Sequence, residues 1–389
     1  VTNFSGNKVS SGIREAINKG QSLEVNHIGG IYAIKCTGRI DDAQQIAAKN
    51  VIATVNDLTT SIVNPNILIN GGMQLWQRAL NFPSPEFGTY TADRWIAAGN
   101  GCKQEVRYWK DGPDRWLAVI GGSNQLDGWS LIAQRVESSQ ARLLIGKELT
   151  LSFDMFGSEG ATYNKAVAFI DYASKDNNFW ELVNGQTFEQ PFVCGERKRL
   201  VFNLGVVTEE ALNGLQIKLG ASAPGKQESE KNLLITNVKL EVGRIATPFI
   251  AGGFDDNYQQ CLRYFQKIDI GVNTYKGTLY GSAGQSAGNV YGELMALPQI
   301  MREWPTTKYI KTNGESNNYW VVVGITPLTT NNANGLTVEC DGKHWRLLQT
   351  PATAFKPFRD PFNATPNTVE MNQQGIWEPS FQIQLDAEI

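Results

Sequence analysis

Four tryptophans, Trp109, Trp116, Trp129 and Trp180, stand close to Lys110, Asp111, Asp127 and Asn178. An indole flanked by charged and amide groups suits a sugar ring. The apolar C–H face of the ring lies on the aromatic, and its hydroxyls meet the polar neighbours. These four are the candidate carbohydrate-binding residues. Tryptophans in a large β-rich domain also fill its core or cover its ends, so both roles stay open at this level.

Catalytic chemistry has fewer supports. Glycan-cleaving enzymes need two carboxyl groups roughly 5 to 9.5 Å apart, and Asp154, Asp171, Asp176 and Glu181 are candidates. With 38 acidic residues in the chain, spacing selects no pair. The only histidines are His27 and His344, and no serine sits in a Gly-x-Ser-x-Gly elbow. The Gly281–Gly288 stretch lacks the Lys-Ser/Thr pair of a phosphate-cradling loop. Cys36, Cys102, Cys194, Cys261 and Cys340 are odd in number and widely spaced, which predicts buried free thiols rather than a disulfide framework or a zinc knuckle. The expectation is a protein that is not an enzyme and has no cofactor, with carboxylates that leave room for a structural calcium.

The elements that must position these residues are mostly strands. The chain has 389 residues, which suggests two or three domains; 41% are hydrophobic, 19% are charged and 38 are glycines. Period-two alternation recurs in ELTLSFDMFG, RLVFNLG, LQIKLGA and LLITNVKLEVG, and again in YWVVVGI, LTVEC, HWRLLQ and the terminal FQIQLDAEI. Such runs, broken by Gly, Asn and Asp, predict an antiparallel sandwich or barrel. Gly29–Ile34 reads as a short strand after a glycine turn, and FDDNYQQCLRYFQ as a helical or turn-like connector. One helix stands out at about 41–62, with Ala48, Val51, Val55, Leu58 and Ile62 in alternating steps of three and four. It either packs on its own domain or forms a short parallel trimeric bundle. Pro- and Asn-rich stretches around 329–335 and 350–367 are long loops, places where recognition often resides. A net charge of −3 gives no sign of a nucleic-acid partner, and no run approaches the ~20 apolar residues of a membrane span. No leader is recognised either, so the expected setting is assembly inside the host cytoplasm.

Specific resemblance begins at NPNILINGGMQLWQRALNF and GTYTADRWIA. Asn66, Leu68, Ile69, Asn70, Gly71, Met73, Trp76, Gln77 and Arg78, then Tyr90, Thr91, Ala92, Asp93, Arg94 and Trp95, resemble the opening of a module found in tail fibres and other structural proteins of tailed bacteriophages. LEVGRIATPF (240–249), CLRYFQ (261–266) and ALPQIMREWPTTKYI (296–310) resemble its later landmarks in order. The resemblance covers about 64–310 and implies a carbohydrate-binding-like jelly roll in a virion protein. Within the motif, Trp76, Arg78, Tyr90, Asp93, Arg94 and Trp95 read as architecture: the rings bury large surfaces, while Asp93 and Arg94 cap or pair with turn groups.

The resulting expectation is a mainly β protein with three parts. Residues 1–64 would be a short helical attachment and trimerisation region, 65–252 a jelly-roll-like β-sandwich, and 253–389 a C-terminal β-rich domain. The expected partners are two further copies of itself, other virion proteins through the N-terminal region, and host surface glycans. A tail or capsid surface location is implied. Alternatives are a capsid-fibre, decoration or baseplate protein making protein contacts, and a glycan depolymerase.

Overall fold

The computed structural model describes residues 23–28, 31–36, 64–99, 104–121, 128–223, 231–271, 275–281, 288–311, 318–322, 328–330, 336–349, 373–377 and 381–388. The expected helix at about 41–62 and the loops at 331–335 and 350–367 lie outside them. An antiparallel pair of β1 (Leu23–Ile28) and β2 (Ile31–Cys36) comes first.

The central body is a two-sheet sandwich. Its strands are β3 (Asn81–Phe82), β4 (Ile96–Ala97), β5 (Gln104–Asp111), β6 (Asp114–Gly121), β7 (Gly128–Val136), β8 (Glu148–Gly157), β9 (Lys165–Lys175), β10 (Asn178–Pro191), β11 (Arg197–Val206), β12 (Leu215–Ala223) and β13 (Asn232–Val242). One sheet has the order β11-β8-β13-β6-β5-β3 and the other β10-β9-β12-β7-β4. From β7 onward the chain crosses repeatedly between the sheets, a jelly-roll-like route. Alternation decides what faces inward. Leu149, Leu151, Phe153 and Met155 of β8 meet Ala166, Ala168 and Ile170 of β9 and Leu215, Ile217 and Leu219 of β12 in one continuous core. Burying each large side chain contributes about 1.5–3 kcal/mol, so this seam dominates the sandwich's stability.

Beyond Gly252 and Gly253 a helix (Phe254–Leu262) leads into β14 (Phe265–Ile270). The remaining strands are β15 (Tyr275–Gly281), β16 (Gly288–Gly292), β17 (Met295–Ala296), β18 (Thr306–Lys311), β19 (Asn318–Val322), β20 (Leu328–Thr330), β21 (Leu336–Cys340), β22 (His344–Gln349), β23 (Gln373–Trp377) and β24 (Phe381–Asp386). The terminal strand β24 is central in a three-stranded sheet between β14 and β18. Its Ile383 and Leu385 pack with Met301, Trp345, Leu347 and Ala387 in a second core.

Candidate functional site

The four candidate tryptophans occupy strands, and they do not converge. Trp109 and Trp116 are direct cross-strand partners in the β5–β6 hairpin. Their neighbours in sequence, Tyr108 and Leu117, pair with each other, and Leu117 belongs to the core, so both indoles point to the outer face of the six-stranded sheet. Trp129 opens β7 in the opposite sheet and packs 5.0 Å from Phe169. Trp180 lies on the edge strand β10 and is 89% exposed.

Only part of this set can stack on a ligand. Trp116 is 3% exposed, in a small cluster with Ala118, Leu234 and Phe156, which removes its ring as a free platform. Trp109 is 38% and Trp129 36% exposed, so each offers part of a ring.

Around Trp109 and Trp116 the outer face carries an ordered polar frame. The Arg107 guanidinium lies 5.1 Å from the Trp109 ring centre and 3.8 Å from Glu105. Arg197 lies 4.8 Å from the Trp116 ring centre and binds Asp114 and Asp154, each at 2.5 Å. Arg199 adds a 3.2 Å contact to Asp154, a bond to the Asn237 carbonyl at 2.6 Å and one to the Ser152 hydroxyl at 2.7 Å. Asn237 also donates to Asp154 at 2.9 Å. Partial burial opposes ionisation of Asp154, but bonds from Arg197 and Asn237 and the nearby guanidinium charges hold its carboxyl below the ordinary value. The Trp116 indole N–H has no hydrogen-bond partner among the described residues. The arrangement is a half-exposed aromatic surface bordered by fixed donors and acceptors.

Asp154 and Asp171 do not form a glycosidase-type pair. Asp154 and Asp171 project from the outer faces of opposite sheets, so the sandwich core lies between them. Two stacked sheets alone stand about 10 Å apart, beyond glycosidase spacing. Asp171 binds Lys218 at 2.9 Å and Asp176 binds Arg142 at 3.2 Å. The His344 ring meets the Asp341 carboxylate at 3.4 Å. No group of three His, Cys, Asp or Glu close enough to hold a metal occurs among the described residues. Cys261 is buried, Cys194 and Cys340 are partly buried, and all three are free thiols. No helix of the described residues is long and apolar enough to cross a membrane.

The motif residues occupy a different place, the junction between the sandwich and β24. Trp95 is fully buried, and its N–H donates to the Asn70 carbonyl at 3.0 Å. Trp76 packs against the core and meets Tyr108 edge-on at 5.9 Å. Asn70 spends its whole side chain internally, donating to the Leu75 and Asp93 carbonyls and accepting from Gln74 and Leu75. Its φ of +55° is one that Asn tolerates well. Gly71 lies against β13, where an added Cβ would fall 2.1 Å from the Val238 carbonyl oxygen. Arg94, at φ +72°, pairs with Glu388 and lies 3.5 Å over the Tyr264 ring. Arg78 lies 3.9 Å over Phe265 and 5.2 Å from the Tyr90 ring centre, binding Asp386 at 2.9 Å. Asp93 accepts from Gln77 at 3.1 and 2.9 Å. Tyr264 and Arg263 both bind Glu137 of the sandwich, and Arg302 donates to the Ala387 carbonyl at 3.1 Å. Residues from the opening motif, CLRYFQ and the MRE segment thus meet around one buried ionic cluster. Spacing along the chain carried no signal for it, because Arg94 and Glu388 are 294 positions apart.

No protein-family model and no curated protein matches the chain's sequence. Among solved structures, it is similar to a structure described as showing the promiscuous specificity of carbohydrate-binding modules from the β-sandwich superfamily. That match has 10% identity and a TM-score of 0.28, and it covers 40% of this chain and 61% of that one, under two thirds of its length. TmCBM61 in complex with β-1,4-galactotriose matches at 13% identity and a TM-score of 0.28, over 46% of this chain and 99% of that one. The CBM22-2 xylan-binding domain from Paenibacillus barcinonensis Xyn10C matches at 17% identity and a TM-score of 0.29, over 42% and 100%. At these scores they stand as similarities alone, and the sandwich assignment rests on the strand pairing and burial above.

Proposed function

We propose that the chain is a non-catalytic glycan-binding subunit of a tailed-bacteriophage fibre or spike. In this reading it works as a homotrimer at the virion surface and is held to the particle through residues 1–64. The observation that carries glycan binding is the half-exposed Trp109 indole beside Arg107, with the buried Trp116, Arg197 and Asp154 fixed next to it. A sugar stacked on Trp109 would exchange hydrated apolar surface for ring contact, while the charged frame orients its hydroxyls. The virion setting is supported by the ordered motifs from Asn66 to Ile310. Threefold presentation suits a weak sugar site, since linked copies multiply avidity.

A glycan array followed by calorimetry on the full chain tests this. Trp109→Ala is expected to weaken binding about tenfold to a hundredfold, roughly 1.4–2.8 kcal/mol, with only a small change in unfolding. An array without hits, on protein that still joins the particle, would favour a decoration or baseplate role instead. Release of reducing sugar from host polysaccharide would overturn the non-catalytic assignment. Native mass spectrometry should give three 43.0 kDa chains, and a monomer at micromolar concentration would remove the trimer.

A further inference from the structure

We propose a second ligand site, independent of the Trp109 face, in a cleft of about 180 Å³ between the opening motif, the end of the sandwich and the helix Phe254–Leu262. We infer that it takes one neutral sugar ring. Its walls come from three separate stretches, 66–74, 249–252 and 257–260, and none of the lining side chains is charged. Phe249 and Ile250 supply apolar surface, with Ile250 exposed. Gln74, Asn257 and Gln260 supply amides.

These amides differ from the asparagines beneath them. Asn66 and Asn70 also line the cleft, but their side chains are committed to the backbone at Val238, Leu240, Leu75 and Asp93. Asn257 donates to the Gly253 carbonyl at 3.2 Å, which leaves its oxygen as an acceptor. Gln74 and Gln260 are exposed and line the cleft from different segments. Each primary amide offers two donors and an acceptor, the set that paired hydroxyls require. An uncharged rim gives a carboxylate or phosphate no counter-charge, so the chemistry selects a neutral polyol over an anion. The cleft is smaller than the ~300–1,000 Å³ of drug-sized pockets, which limits the occupant to about one ring.

Gly72 gives the site a steric handle. A Cβ there would meet the Phe249 ring at 3.6 Å and the Gln74 side chain at 3.7 Å, ordinary contacts, so alanine narrows the cleft without a clash. The experiment is saturation-transfer NMR on the full chain with D-glucose, D-galactose, D-mannose and N-acetyl-D-glucosamine, free and as methyl glycosides. D-gluconate serves as the charged control. At least one neutral sugar should still bind to Trp109→Ala, in which the outer face is disabled, and the cleft variants are made in that background. Gln74→Ala/Gln260→Ala and Gly72→Ala should each weaken it at least tenfold with an unchanged thermal midpoint. No transfer from any neutral sugar, binding that survives the double variant, or gluconate binding as well as the neutral sugars would overturn the proposal. Loss of all binding in Trp109→Ala would likewise overturn it, assigning the ligand to the outer face. Loss confined to the Gln74 and Gln260 variants would leave the Trp109 reading to its own test.

Discussion

The junction around Arg94 and the face around Trp109 are made from the same residue types: aromatic rings, arginines laid over them and carboxylates closing the arginines. At the junction Arg94 covers Tyr264 and pairs with Glu388, both carboxylate and guanidinium being out of water. On the face Arg197 covers Trp116 and pairs with Asp114 and Asp154, but its side chain stays 43% exposed. Burial makes the difference. An ion pair shut away from solvent is costly to break and can do little but hold two parts together. A half-exposed one keeps donors available at small energetic cost.

The largest expected effect comes from breaking the buried pair. Glu388→Gln leaves the buried Arg94 without its counter-charge, and Arg94→Met leaves Glu388 only Arg78, at 3.5 Å; each should cost about 3–5 kcal/mol in urea unfolding. The double variant Arg94→Met/Glu388→Met should cost clearly less than the two singles added, because no charge is then stranded. Additive losses would show that the two residues act separately and would sink the idea of a single clamp.

Next in size is Asn70→Ala. It deletes four internal hydrogen bonds and strips the Asp93 carbonyl and the Gln74 and Leu75 N–H groups of their Asn70 partner, while the Leu75 carbonyl keeps the Asp93 N–H, for a loss of roughly 2–4 kcal/mol. A loss below about 1 kcal/mol for the alanine variant would show the hub to be dispensable.

This contrast also marks what could be read without coordinates. The alternation in β8, β11, β12 and β13 needed only local spacing, and it locates both the core and the outward positions. The helical connector after Gly253 was legible in the same way. Trp109 and Trp116 were visible as tryptophans, but not as a pair with unequal burial. That inequality depends on Leu234 and Phe156, which arrive from β13 and β8. The cleft was illegible for a related reason: Gln74, Phe249 and Gln260 are unremarkable until three segments meet. Asn70 reads locally as a turn residue, and only the fold brings Asp93 and Trp95 to it.

Acid separates the two regions by sign. Burial pushes the Asp93 carboxyl at the junction above its ordinary value, against the bonds from Gln77 and the field of Arg78. Asp154 on the face is held below its ordinary value. A depressed carboxyl contributes stability above its unfolded value, and that contribution is lost as pH falls below about 4. A raised carboxyl works the other way, favouring the fold on protonation. Asp154→Asn should therefore flatten the fall in unfolding free energy below about pH 4, while Asp93 acts at and above about pH 4, where Asp93→Asn should remove a gain in stability on acidification in a titration from about pH 6 to about pH 2. Equal slopes for the two variants, measured by urea titration across that range, would remove the electrostatic distinction between junction and face.

The smallest expected effect is the most informative about function. Trp180→Ala and Trp109→Ala each remove an indole with substantial solvent exposure, at 89% and 38%. Surface truncations of this kind stay within about 0.5 kcal/mol for Trp180, and slightly more for Trp109 because Arg107 rests on its ring. Trp116→Ala empties a buried position and should cost about 3–5 kcal/mol. Two adjacent tryptophans, paired across one hairpin, would then differ severalfold in stability cost. If Trp109→Ala destabilised the sandwich as much as Trp116→Ala, its ring would be core, and the outer face would lose its one free aromatic surface at the hairpin. A small loss in stability with a large loss in sugar affinity is the outcome that assigns Trp109 to recognition and Trp116 to its support.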